Sequence, residues 1–68
     1  MSKSVHVLNN MGVTWRDLGD HEQAIVYFDR AIQLSPGFAR GHLNRALSLA
    51  ELDGRLADAV ESLSLIHI

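Results

Sequence analysis

A pattern of glycines, alanines and large apolar residues in this chain nearly repeats after 34 positions, and that period limits the folds open to it. The first copy reads Leu8-x2-Met11-Gly12-x2-Trp15, then Leu18-Gly19, then Ala24-x3-Phe28-x2-Ala31, then Pro36. The second keeps Ala46, Leu49, Leu52, Gly54, Ala59 and Leu63. A period of this size marks stacked repeats, in which each unit is too small to bury a core alone. The chain has 68 residues, enough for one small domain. Both observations point to a binding scaffold and away from an enzyme.

The spacing within each copy predicts helices. Val5, Leu8, Met11, Gly12, Trp15 and Leu18 share one helical face. Gly19 suits the left-handed conformation that ends a helix. Asp20 is placed to cap a second helix, with Gln23 three residues on. Ala24, Ile25, Phe28, Ala31 and Ile32 form that helix's stripe, and Ser35-Pro36-Gly37 turns the chain. A third helix is expected from about Phe38 to Leu52, with Leu43, Ala46, Leu47, Leu49, Ala50 and Leu52 apolar. Gly54 breaks it, and a fourth begins near Arg55 or Leu56 with Ala59, Val60 and Leu63 apolar. Asp53 adds one residue, so the period becomes 35 after this turn. Turns this short force antiparallel neighbours. Gly12 and Ala46 are expected at the closest approach of paired helices, against Ala24, Ala31 and Ala59, with Trp15 and Phe28 as the large fillers.

The first copy resembles the tetratricopeptide repeat, whose pattern is W-x2-L-G-x2-Y, then A-x3-F, then P. Leu8, Met11, Gly12 and Trp15 stand for the first four positions, and Ala24, Phe28 and Pro36 match outright. The resemblance implies an all-α, right-handed solenoid of antiparallel helix pairs with four helices. The first repeat would span 5–38 and a second, incomplete one 39–62. It also implies a concave groove, lined by the first helix of each pair, that binds a peptide or partner protein. The groove candidates are His6, Asn9, Asn10, Val13 and Arg16, then Arg40, Leu43, Asn44 and Leu47. Asn10 and Asn44 lie 34 apart and occupy equivalent places. Such amides either bond the backbone of an extended peptide, like the asparagine ladder in O-linked N-acetylglucosamine transferase, or support a neighbouring turn. A clamp for a chaperone tail fits poorly, because Asn9 and Val13 stand where the first clamp repeat uses Lys and Asn.

Other chemistries find little support. A net charge of −2 gives no electrostatic reason to propose nucleic acid or an anionic membrane. No cysteine is present, which excludes disulfides and Cys-based zinc sites and favours a cytoplasmic compartment. His6, His21, His42 and His67 have no spacing that puts two metal ligands on one helix face, so neither metal nor cofactor is expected. Ser48 lacks a His–Asp partnership, and Gly37-x3-Gly41 follows no strand and lacks the Lys of a phosphate loop. Glu22, Asp29, Glu51, Asp58 and Glu61 read as solvated helix faces. No run is apolar enough to span a bilayer, and the first residues lack a signal-peptide core.

Leu63-Ser64-Leu65-Ile66-His67-Ile68 reads either as a translated sequencing adaptor, a non-native tail at 63–68, or as a natural apolar helix end. Two repeats fall below the usual minimum of three, so the chain is expected to be a fragment of a longer array, marginal alone and open to self-association through its last helix. Two readings of function remain, with a non-repetitive four-helix bundle as a third option. One is a protein-interaction module. The other is a substrate-targeting arm of a larger enzyme, such as a glycosyltransferase or kinase.

Overall fold

The computed structural model describes residues 2–54. Three helices follow one another, α1 (Lys3–Asp17), α2 (His21–Leu34) and α3 (Ala39–Leu52), and no strand occurs among the described residues. The three match the helices the spacing predicts. The expected fourth helix, with Ala59, Val60 and Leu63, lies outside the described residues, as does His67.

Each boundary has a local cause. Beyond α1, Gly19 adopts φ +88°. Its N–H donates to the Arg16 carbonyl at 2.9 Å, and the Asp20 N–H donates to the Trp15 carbonyl at 2.9 Å. This double bond is a Schellman closure, which satisfies the last carbonyls and reverses the chain. Asp20 then opens α2, its Oδ1 accepting from the Gln23 N–H at 3.1 Å. α2 stops at Ser35, whose N–H donates to the Ala31 carbonyl, and Pro36 supplies no N–H to continue the ladder. Gly54 ends α3 at φ +73° with its N–H on the Glu51 carbonyl, a partial copy of the Gly19 device 35 residues on.

α2 packs broadly against both α1 and α3, and α1 and α3 meet along a narrower seam. Val5, Ala24, Phe28, Ala31 and Phe38 are the buried apolar residues, with half-buried Leu8 packed beside Val5, Ala31 and Phe38. Phe28 is fully buried, and burying such a side chain contributes roughly 1.5–3 kcal/mol. It lies against the backbone of Gly12. A Cβ built on Gly12 would fall 2.6 Å from Cδ1 and 2.9 Å from Cζ of the ring, and closer still to Cε1. Gly41 repeats the device, since a Cβ there would meet Phe38 Cδ2 at 2.8 Å and Ile32 Cγ1 at 3.3 Å.

The expected apolar stripe of α1 is only partly buried. α1 turns Val5, Asn9 and Gly12 inward. Trp15 is half-buried rather than a central filler, and Met11 and Leu18 are exposed. On the helical wheel Met11 and Leu18 fall outside the arc that meets α2 and α3. Ala46 is exposed as well, because α3 turns Gly41, Asn44 and Ser48 inward. The helix expected to pack on Ala46 begins beyond Gly54, outside the described residues. Phe38, expected from its place only as a helix start, is a core residue.

Gly12→Ala separates two opposed effects. Ala gains about 1 kcal/mol of helix propensity over Gly. Overpacking against a fully buried ring costs about 1–3 kcal/mol. With three ring atoms inside 3 Å, the clash is expected to win and the variant's Tm to fall in a thermal melt followed by circular dichroism. A rise in Tm would show that the ring can move away.

Candidate functional site

The seam between α1 and α3 is built from polar side chains. Asn44 Nδ2 donates to Asn9 Oδ1 at 3.0 Å. Arg16 Nη1 donates to Asn44 Oδ1 at 3.1 Å. Both amides are buried, Asn9 to 3% exposure and Asn44 to 8%. The half-buried Arg16 guanidinium also lies 6.0 Å from the centroid of the Phe28 ring. Helix geometry explains the grouping. Asn9 and Arg16 are seven residues apart, two turns along one face of α1, and Asn44 sits on the opposing face of α3. The chain therefore joins its two parallel helices through a relay of Arg, Asn and Asn.

Around this relay the remaining groove candidates divide. His6 is exposed, with its ring edge-on to Phe38 at 5.7 Å between centroids. Val13 and Leu47 are half-buried. Arg40 and Leu43 are exposed, Leu43 at 59%. His6, Asn9, Val13 and Arg16 form a strip on α1 at spacings of three, four and three residues. Arg40, Leu43, Asn44 and Leu47 form a matching strip on α3 at spacings of three, one and three. Asn10 stands apart. It is exposed, and its backbone carbonyl accepts from Thr14 Oγ1 at 3.0 Å.

The two amides in contact are thus Asn9 and Asn44. Repeat equivalence pairs Asn10 with Asn44 because it compares positions. Physical contact pairs Asn9 with Asn44 because α1 offers its forward face to α3, while α3 offers its rear face to α1. The signal available in the sequence was a second asparagine, 35 residues before Asn44. One period after Asn9 itself stands Leu43, an apolar residue.

The other singled-out residues fall in separate places. His42 Nε2 lies 2.7 Å from the Pro36 carbonyl. His21 Nε2 lies 3.7 Å from Glu51 Oε2, joining the start of α2 to the end of α3. Among the described residues no three His, Asp or Glu side chains come together as a metal site. Arg45 Nε donates to Asp29 Oδ1 at 2.5 Å, tying α3 to α2. Ser48 is fully buried, and its Oγ has no hydrogen-bond partner among the described residues. A hydroxyl sealed in this way cannot meet a substrate. No helix among the described residues is long and apolar enough to cross a membrane.

These features define a helical-repeat protein. The model of the tetratricopeptide repeat matches residues 6–38, so this part of the chain is a repeat of that family. It is also similar to Protein FlbA of Caulobacter vibrioides, with 38% identity over 53 residues, 74% of this chain and 9% of that protein. The chain thus spans less than a tenth of that relative's length. No solved structure gives a significant match.

Two substitutions test the polar interior. Asn44→Ala removes both bonds of the relay and leaves Asn9 Oδ1 and Arg16 Nη1 without them. The expected loss is about 1–3 kcal/mol, the cost of a buried polar group left unsatisfied, read as a lower urea midpoint. Ser48→Ala is expected to act in the other direction, because it removes a buried unpaired hydroxyl and improves helix propensity. Its Tm should rise, and a fall would show that the hydroxyl is bonded after all.

Proposed function

We infer that this chain is a protein-interaction module whose α1–α3 face binds an extended peptide segment of a partner. The supporting observation is the pair of strips set side by side by the Arg16–Asn44–Asn9 relay. Parallel helices held in fixed register give a ligand a surface that is ordered before it binds, which lowers the entropy cost of binding. The exposed members, His6, Asn10, Arg40 and Leu43, and the half-buried Val13 and Leu47 offer donors, a cation and apolar contacts. The buried amides take another part. They hold the two helices together and leave backbone recognition to the exposed His6 and Arg40, with Asn10 beside the α1 strip. In this reading the helix pairs continue as a right-handed solenoid, and the groove extends along it.

A second reading rests on the short share of FlbA that the chain spans. The repeats then serve as the arm of a longer protein that brings a substrate to another domain. Both readings use the same face, so one experiment reaches both. Peptides are selected from a displayed library on the intact chain, and Leu43→Glu and Arg40→Glu are then titrated with the selected sequence. Neither side chain is buried, so far-UV circular dichroism should be unchanged. At least one variant should lose affinity tenfold or more. Unchanged affinity in both would place the binding surface elsewhere.

A further inference from the structure

The end of the molecule where α1 stops, α2 starts and α3 stops carries a surface that the peptide-binding face does not use. A notch of about 360 Å³ lies there, lined by Leu18, Gly19, Asp20, His21, Glu22 and Leu52. Both leucines are well exposed, Leu18 at 72% and Leu52 at 46%. Charge is concentrated around them. Asp17, Asp20, Glu22, Glu51 and Asp53 all belong to this end, leaving Asp29 as the other carboxylate among the described residues. Arg16, the nearest arginine in α1, turns its guanidinium into the seam. Lys3 and Arg40 belong to the opposite end, at the starts of α1 and α3.

Helix stability accounts for only part of this acidity. Asp20 and Glu22 sit at the N-terminus of α2, where carboxylates are favoured by the helix dipole. Asp17 is the last residue of α1, Glu51 the penultimate residue of α3, and Asp53 its C-cap. At those positions the dipole disfavours a negative charge. Glu51 approaches His21 and Asp53 takes part in an interaction of its own, yet among the described residues this end carries more carboxylates than cationic side chains. A surface that places carboxylates against the local field, around two exposed leucines and a cavity, is complementary to a cationic segment with an aliphatic centre.

We propose that the notch between the α1–α2 turn and the end of α3 docks a basic peptide segment of a partner protein, one aliphatic side chain entering between Leu18 and Leu52 and flanking Lys or Arg residues meeting the surrounding carboxylates. The occupant's chemistry is set by both features together. Carboxylates alone would hold any cation loosely, and leucines alone would select no charge. This surface lies at the turn end of the helices, so it leaves the α1–α3 face free for a second ligand.

The test is a titration of the intact, 15N-labelled chain with the blocked peptide Lys-Lys-Leu-Lys-Lys, followed by amide chemical shifts. Saturable shifts are expected at Gly19, Glu22 and Leu52, weakening as salt is raised because the carboxylates are exposed. Replacing the peptide's leucine by serine, or its lysines by glutamates, should weaken binding tenfold or more. In the protein, Glu22→Lys should do the same. Leu18→Ser provides a second variant that leaves the core intact, since Leu18 is largely exposed, and it should also lose binding tenfold. Equal binding of the leucine and serine peptides would overturn the proposal, as would shifts centred on Asn9 and Asn44. Shifts at the notch that grow with protein concentration, without peptide, would assign it to a second copy and overturn the proposal as well.

Discussion

The contact between the Phe28 ring and the bare backbone of Gly12 sets the distance between α1 and α2, and the other packing follows from it. A residue with a side chain at position 12 would hold the helices apart and open a void around the largest buried group. Interiors are packed too densely to tolerate such a void without loss. The inward arc of α1 is narrow. It admits Val5 and Asn9 beside Gly12 and leaves Met11 and Leu18 outside. Gly41 lets Phe38 and Ile32 approach α3 in the same manner. The unit is therefore built on two glycine contacts, each matched to an aromatic ring from a neighbouring element or turn.

Where the helices of the same orientation meet, the interior changes character. Asn9, Asn44 and Arg16 replace apolar packing with directional bonds. The amide–amide bond contributes about 0.5–1.5 kcal/mol net and the bond from the charged Arg16 about 1.5–3 kcal/mol, so the relay is a source of stability comparable with one buried phenylalanine. Its greater effect is on geometry. An apolar seam tolerates sliding by a fraction of a turn, whereas a buried amide pair is satisfied in one register, as single buried asparagines are in coiled coils. Fixed register is what a binding face shared between two helices requires.

The helices and their ends were legible in the sequence because their causes are local. Gly19, Asp20, Pro36 and Gly54 each act within a few residues of where they stand, and all four act as expected. The repeat pattern marks Gly12 as a point of close approach and Phe28 as a large filler, but it sets Gly12 against small alanines, whereas the Phe28 ring itself occupies that space. Contacts between repeats were harder to read. Repeat alignment shows which residues are equivalent, and equivalent residues do not touch one another. The 34-residue period singles out Asn10 and Asn44 as equivalent and says nothing of Asn9, the residue that Asn44 contacts. The size of Trp15 argues for a central place, and the helix turns it to the margin. The candidate site was legible as two strips of residues, and which of them are buried was not, since that depends on how far α3 rotates against α1.

Leu43 stands one period after Asn9, and it is apolar and exposed where Asn9 is polar and buried. The lock that joins α1 to α3 is thus not offered again by α3 to whatever stacks upon it. A duplicated copy of this unit placed next in line would set its own Asn10 against Leu43, an amide facing a hydrocarbon. The order of units in an array of this kind is then written into its seams. In an array of such units this seam would favour a successor whose facing residue is apolar, so a copy of this unit would not be interchangeable with any other at that place.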